Sequence, residues 1–457
     1  VVPNMRIYGN ALFTGSFSNR QDMLFLLIDI LCAYYVHFLA MSHPSFTPEE
    51  IRFLSLVSEA AFANPFSEDR IAKDIEIAGL TGAIPLRKTV GDTPSLPNTS
   101  NSLGSNMGGT PFLASEGLDQ KYRAISPDER ISALTKRIRE FLARLEKDGK
   151  ASVSEASGKD RDLLSIAHLF DVFHQVLNSF DVLILQQIKS GEKSCPVSFA
   201  ERTILDLRRR GFDNKDAVRY FSIFYQLRRA YYFIDHSLAG HSASMKRLKL
   251  SLWNNVFTND IRLYELHLWN RMEDFSTLLL GPTGSGKGSA AGAIGRSGFI
   301  PFDERKNCFS ESFMRSFIPV NLSQYPEALI ESELFGHRKG AFTGAVEEHQ
   351  GVFSRCSQHG SIFLDEIGDA GVPVQIKLLQ VLQDRMFSPV GSHEKLRFNG
   401  RVIAATNKSL DELRRSKLFR DDFFYRLCSD IITVPSLRER LDENPEELEE
   451  LVTLTVN

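Results

Sequence analysis

"STLLLGPTGSGKG", residues 276–288, decides the fold. Its first half is a short apolar run of β type. Its second half fits G-x-x-x-x-G-K and opens onto a helical stretch. The glycines let backbone N–H groups turn inward around phosphate oxygens, and Lys287 adds a point charge there. Strand, glycine turn and helix in that order make one unit of a parallel α/β sheet. Gly281, Gly284, Gly286 and Lys287 are the candidate phosphate-loop residues. The next position usually holds a Ser or Thr that ligates magnesium. Here it is Gly288, followed by Ser289. The competing reading is a glycine-rich turn with no ligand.

Four more β-type runs follow, alternating with helical stretches: "FIPVN" (317–321), "SIFLDE" (361–366), "RVIAAT" (401–406) and "DIITV" (430–434). The alternation predicts a parallel five-stranded α/β sheet, whose ligands bind at the carboxyl ends of the strands. "SIFLDE" ends in two acids, and charges at a sheet's end need partners. A Mg²⁺ ion and a water would supply them, with Asp365 on the metal and Glu366 polarising the water. A plain surface strand end is the alternative. Thr406 and Asn407 form a polar tip suited to sensing a γ-phosphate. "KLFRDDFFYRL" (417–427) holds Arg420 and Arg426. Two readings stay open on the local sequence. The arginines serve a neighbour's phosphates, an effect of order 10³–10⁵ in rate. Or they form surface salt bridges with Asp421 and Asp422.

Between the second and third of these strands lies "GHRKGAFTGA", residues 336–345. Gly and Thr disfavour helix interior, so the stretch reads as a loop. A Phe exposed on such a loop calls for something that binds it.

The chain has 457 residues, 42% hydrophobic and 24% charged, with a net charge of −3. That is ordinary globular composition with no global nucleic-acid footprint. Cys32, Cys195, Cys308, Cys356 and Cys428 form no CxxC pair. Zinc ribbons and disulfide frameworks are disfavoured, and a cytoplasmic setting is expected. Residues 23–41 are long and apolar enough to span a membrane. Asp29 and His37 make a lipid-exposed span costly, so no membrane association is expected.

Residues 1–40 are expected to be dispensable, because "MSHPSFTPEEIRFLSL" from Met41 reads as a fresh start. There Thr47 is the N-cap, Pro48 the first helical residue and Glu50 its capping-box partner. Residues 41–90 read as short helices. Residues 91–117, rich in Pro, Gly, Ser and Asn, read as a flexible linker. Residues 118–250 read as a helical regulatory domain, with Ile131, Leu134, Ile138 and Leu142 at helical spacing. His168 and His174 stand six apart, which does not suit a helical metal pair. Tyr220, Phe221, Phe224, Tyr225, Tyr231, Tyr232 and Phe233 read as packing residues, and Arg208, Arg209 and Arg210 as a solvated face.

With these residues in view, roughly residues 251–445 resemble the central AAA+ domain of the sigma-54-dependent transcription activators of bacteria. The resemblance rests on "ESELFGHRKGAFTGA" (331–345), "GSIFLDEIGD" (360–369), "FRDDFFYRL" (419–427) and "PSLRER" (435–440). It implies an ATPase with ATP and Mg²⁺ at Gly281, Gly284, Gly286, Lys287, Gly288 and Ser289, where Gly288 replaces the family's usual Glu. It puts Asp365 and Glu366 on the Walker B acids, and Thr406 and Asn407 on the first sensor. Asn321 matches the Asn that holds the catalytic Glu at rest. Arg420 and Arg426 match two arginine fingers that act across a subunit interface, which implies a ring, usually a hexamer. Phe342 and Thr343 would touch sigma-54, with nucleotide hydrolysis raising and lowering their loop.

Two departures stand out. The stretch "GRSGFIPFDERKNCFSESFMRS", residues 295–316, looks longer than the family norm and reads as a surface insertion. After the 251–440 ATPase domain, residues 441–457 give only the start of the family's helical lid. The C-terminal helix-turn-helix that would bind DNA has no counterpart, so the chain reads as truncated. The resemblance leaves two alternatives: a remodeller of another protein, or an ATP-binding decoy without hydrolysis.

Overall fold

The computed structural model describes residues 46–80, 83–85, 123–415 and 419–456. The expectations for residues 1–40, the 23–41 segment and the 91–117 linker lie outside these. No helix among the described residues is long and apolar enough to cross a membrane.

The five β-type runs of the second half form one parallel sheet. They are β3 (Thr277–Leu280), β6 (Phe317–Asn321), β7 (Ser361–Asp365), β10 (Arg401–Thr406) and β11 (Asp430–Thr433). Their order across the sheet is β11-β3-β10-β7-β6. The expected fold is borne out, to within a residue at each strand end. Small pairs complete the strand set: β1 (Ala83–Pro85) with β2 (Arg123–Ile125), β4 (Phe302–Asp303) with β5 (Cys308–Phe309), and β8 (Met386–Phe387) with β9 (Leu396–Arg397).

The first half is helical. Helices α1 (Pro48–Phe62), α2 (Glu68–Ala78), α3 (Pro127–Lys147), α4 (Gly158–Ser190), α5 (Ala200–Arg209) and α6 (Asn214–His236) precede α7 (Ala243–Phe257). The capping box of α1 is present: Glu50 N donates to Thr47 Oγ1 at 3.3 Å and Thr47 N to Glu50 Oε2 at 2.6 Å. In α3, Leu134, Ile138 and Leu142 are buried at the expected spacing. In the second half, α8 (Lys287–Gly295) follows β3. Then come α9 (Glu327–Phe335), α10 (Val372–Asp384), α11 (Asp421–Leu427), α12 (Leu437–Glu443) and α13 (Glu447–Val456).

Alternation along the strands splits the core in two. Leu278, Ile362, Leu364, Val402 and Ala404 face a core shared with α9, α10 and α11. Leu279, Phe363, Ile403, Ala405 and Ile432 face the other way, into a core that continues without a break through α8, α7 and α6 to α1. The aromatic run of α6 supplies it, with Phe221, Phe224, Tyr225 and Phe233 buried. Trp253 of α7 lies 4.5 Å from Phe257 and 6.1 Å from Phe66, ring to ring, and Trp269 lies 4.7 Å from Phe299.

Two expectations need correction. The 295–316 stretch is not a surface insertion. Its charged tip is exposed, but Phe302, Phe309 and Phe313 are buried. Phe302 and Phe309 pack on Phe221, Phe309 also on Tyr225, and Phe313 on Phe233. The hairpin packs its aromatic residues onto α6 of the helical half. Nor do all three arginines of α5's end face solvent: Arg209 does, whereas Arg210 pairs with Asp171 at 2.9 Å and Asp206 at 3.1 Å, and Arg208 with Glu304.

Buried polar joints fix these parts to one another. At the amino ends of the strands, Arg401 Nη2 donates to Asn255 Oδ1 and Thr277 Oγ1, while Asn255 Nδ2 reaches Asp430 at 2.6 Å. Burial lowers the Arg401 pKa to about 10. Arg440 of α12 bonds the fully buried Glu447 of α13 at 2.8 Å and the Ala239 carbonyl at 2.6 Å. Glu447 also accepts from Ser242 N, so α12 and α13 clasp the joint between α6 and α7.

Candidate functional site

The carboxyl edge of the sheet gathers the predicted site residues. β3 runs into residues 281–286, and α8 begins at Lys287. Gly284 and Gly286 sit at φ 79° and 97°, left-handed backbone that other residues rarely adopt. A Cβ on either would meet nothing within 4 Å, so the turn is bordered by open space. Lys287 is buried, and its Nζ donates to the Gly281 and Pro282 carbonyls at 2.9 and 3.2 Å. Gly288 and Ser289 lie in the first turn of α8, whose N-terminal N–H groups favour an anion. These features fit a bound polyphosphate.

The neighbouring strands bring their polar ends to the same edge. β10 lies beside β3, and Gly281 N donates to the Thr406 carbonyl at 3.4 Å. Asn407 Nδ2 donates to Thr283 Oγ1 at 3.2 Å, tying the strand tip to the glycine turn. β7 follows, ending in Asp365 and Glu366. Glu366 has a left-handed backbone, φ 54°, and its N–H donates to Asp365 Oδ1 at 3.1 Å. A charged side chain held there is strained, a pattern that clusters at functional sites. Asn321 ends β6 in direct register with Asp365. Its Oδ1 accepts from Ser323 N and Ser323 Oγ, at 3.0 and 2.8 Å.

No group of three or more His, Cys, Asp or Glu that could hold a metal occurs among the described residues. Mg²⁺ does not need such a cage, because it takes one or two carboxylates plus substrate phosphates. Asp365, at the end of β7 on the same sheet edge and separated from the glycine turn's strand by β10, fits that donor set.

The two arginines lie farther out, at the start and end of α11. Arg420 is half exposed and bonds Asp422 twice, at 3.0 and 2.6 Å. That hydrogen bonding raises the arginine's pKa and lowers the aspartate's. Arg426 Nε and Nη2 both donate to the Leu382 carbonyl, at 3.0 and 2.8 Å. Within one chain, then, both guanidinium groups have local partners.

The 336–345 loop stands clear of the sheet. Gly336, at φ 80°, admits no side chain, since a Cβ would lie 2.5 Å from the His349 carbonyl. Gly340 N and Ala345 N close the loop through the Ala345 and Phe342 carbonyls, at 2.8 and 3.0 Å. Phe342 is 37% exposed, with one edge against the His337 ring at 4.9 Å, and Thr343 is exposed. Arg338 anchors the base through Glu348 and Glu394.

Sequence reasoning missed several supporting side chains. Lys408 Nζ donates to the Gly368 carbonyl and Asp369 Oδ1, at 2.9 and 2.7 Å, and so bolts the β10 tip to the turn after Glu366. Its place directly after Thr406 and Asn407 was the available signal. Gln375 Oε1 accepts from Arg420 N at 3.0 Å, and nothing local in the sequence announces that. His168 and His174, set aside as metal ligands, lie in the helical half, His168 buried and His174 half-buried. His168 Nε2 lies 2.7 Å from the Ala151 carbonyl and Nδ1 3.0 Å from Arg210. His174 Nδ1 lies 2.8 Å from the Phe170 carbonyl.

Part of the chain matches known proteins. Residues 263–433 match the model of the Sigma-54 interaction domain family. The transcriptional regulatory protein GlrR of Escherichia coli (strain K12) is 40% identical over 185 residues, 40% of this chain and 39% of GlrR. The Nif-specific regulatory protein of Azotobacter vinelandii is 38% identical over 218 residues, 48% of this chain and 36% of that protein. The DNA-binding transcriptional regulator NtrC of Azospirillum brasilense is 41% identical over 172 residues, 38% of this chain and 33% of NtrC. The matched stretch thus spans well under half the length of these relatives. Among solved structures, NtrX from Brucella abortus in complex with ADP aligns with TM-score 0.37 and 22% identity, over 56% of this chain and 52% of that one. The resemblance to sigma-54-dependent regulators is borne out over residues 263–433.

Proposed function

We propose that the chain binds and hydrolyses ATP and uses the hydrolysis to remodel sigma-54 RNA polymerase. The observation that carries the reading is the convergence of the glycine turn, Asp365–Glu366 and Thr406–Asn407 on one sheet edge, in a segment matching the Sigma-54 interaction domain. The Gly284 and Gly286 N–H groups and Lys287 hold the phosphates, with Gly288 and Ser289 at the α8 terminus. Asp365 would hold a Mg²⁺ ion, which would neutralise charge developing on the transferred phosphoryl group. Glu366 orients and deprotonates the attacking water. Thr406 and Asn407 sense the γ-phosphate, and Asn321, one strand over from Asp365, restrains Glu366 at rest.

Arg420 and Arg426 act on a neighbouring subunit's nucleotide. Arg420 then exchanges Asp422 for phosphate, a step that requires a ring, usually a hexamer. Phe342 and Thr343 form the contact with sigma-54, and Arg338 and His337 set the loop's resting position. The helical half regulates the output. The setting is cytoplasmic.

The test is ATP turnover measured beside sigma-54 binding, with and without a transition-state nucleotide analogue. Binding is expected only with the analogue. Thr343→Ala should lose binding while hydrolysis persists, and Lys287→Ala should lose both. Equal binding without nucleotide would sink the switch. Nucleotide binding without turnover in any assembly state would instead favour a regulatory decoy.

A further inference from the structure

The phosphate-loop helix is gripped from the helical half. In α8, Lys287 and every residue from Ala290 to Gly295 are buried, so the helix has no solvent face along that length. One side lies on the sheet, where a Cβ on Gly295 would sit 2.3 Å from the Phe317 ring. The other side meets α6. A helix end leaves its last carbonyls and those just beyond without intrahelical donors. Here α6 supplies donors. Gln226 Nε2 reaches the Ser297 carbonyl at 3.0 Å, and Tyr264 OH steadies Gln226 through its Oε1 at 2.8 Å. Arg229 Nη2 donates to the Gly298 carbonyl.

Arg229 is a costly way to fill this space. It is fully buried, and neither its Nε nor its Nη1 has a hydrogen-bond partner. Its guanidinium lies 4.5 Å from the Tyr225 ring centre and 5.7 Å from that of Phe313. Burying a charge with one donor satisfied is unfavourable, and an aliphatic side chain would pack there at lower cost. Packing alone therefore does not account for it.

We propose that Gln226 and Arg229 are positioning residues for the phosphate loop, and that α6 thereby sets nucleotide affinity from the helical half. They fix where α8 ends, hence where Lys287 and the loop N–H groups begin. The inference rests on reading residues 281–288 as the nucleotide site. Coupling of this kind is reciprocal, so bound nucleotide must also stabilise α6.

The experiment uses the full chain and MgADP as probe. Calorimetric titration gives the dissociation constant, thermal melting gives stability, and hydrogen exchange follows residues 220–236. Gln226→Met and Arg229→Leu should each weaken MgADP roughly five- to tenfold, the scale of one lost buried hydrogen bond. Arg229→Leu should melt no lower than the parent, and Arg229→Lys should recover part of the affinity. MgADP should slow exchange of 220–236 in the parent and not in the two variants. Affinities within twofold of the parent would overturn the proposal, as would affinity losses that only track lost thermal stability. A parent chain that binds no MgADP would overturn the nucleotide reading itself, and this inference with it.

Discussion

Glu366 combines a left-handed backbone with the role of base proposed for it. Its left-handed backbone costs on the order of 1–3 kcal/mol, and the bolted Lys408 turn holds it there. Replacing it with glutamine keeps the geometry and removes the base. Glu366→Gln should therefore bind ATP as the parent does while turnover falls about 10²–10⁴-fold, read by single-turnover hydrolysis. His168 makes a different prediction. Burial holds its pKa down at about 4, against 6.5 in the unfolded chain. Between those values only the unfolded chain takes the proton. Stability should thus be full above pH 6.5 and fall as the pH drops towards 4, by on the order of 3 kcal/mol from this group. Denaturant titrations across that range should show the slope, and His168→Gln should reduce it. His174, lowered to about 3, extends the same trend.

At the level of elements, the sheet was legible because its signals are local. Each strand is a short apolar run, and the candidate site residues sit at its end, as Asp365 and Glu366 follow "SIFL". The β4–β5 hairpin was not legible. Its exposed tip, Asp303 to Asn307, is charged or polar and dominates the pattern, while the Phe residues that flank it find partners on α6, far away in sequence. This packing has a measurable consequence. Phe313→Ala should cost about 3–5 kcal/mol in urea unfolding, because the ring is fully buried among Tyr225 and Phe233. Lys306→Ala at the exposed tip should change stability by less than about 0.5 kcal/mol. The same reasoning explains the contacts of Gln226 with Ser297, Arg229 with Gly298 and Gln375 with Arg420: each partner is a backbone group that only the tertiary fold brings near.

For the whole molecule, the boundary expected near residue 250 does not coincide with a gap in packing. The core that starts at Phe46 reaches β11, and the Arg440–Glu447 clasp ties the last helices back to Ser242. Heat should therefore melt the chain in one calorimetric transition, with van't Hoff and calorimetric enthalpies in agreement. Two separated transitions would mean that the halves are coupled more weakly than their shared core implies.

The chain's two tryptophans both lie along this shared core, Trp253 beside Phe66 and Phe257, Trp269 beside Phe299. The protein thus has a native optical reporter confined to the place where its halves meet. Emission excited at the indole band is blind to the Phe342 loop and to the rest of the sheet. A signal that loosens α6 or α7 should redden that emission before any change in helix content, with no label attached.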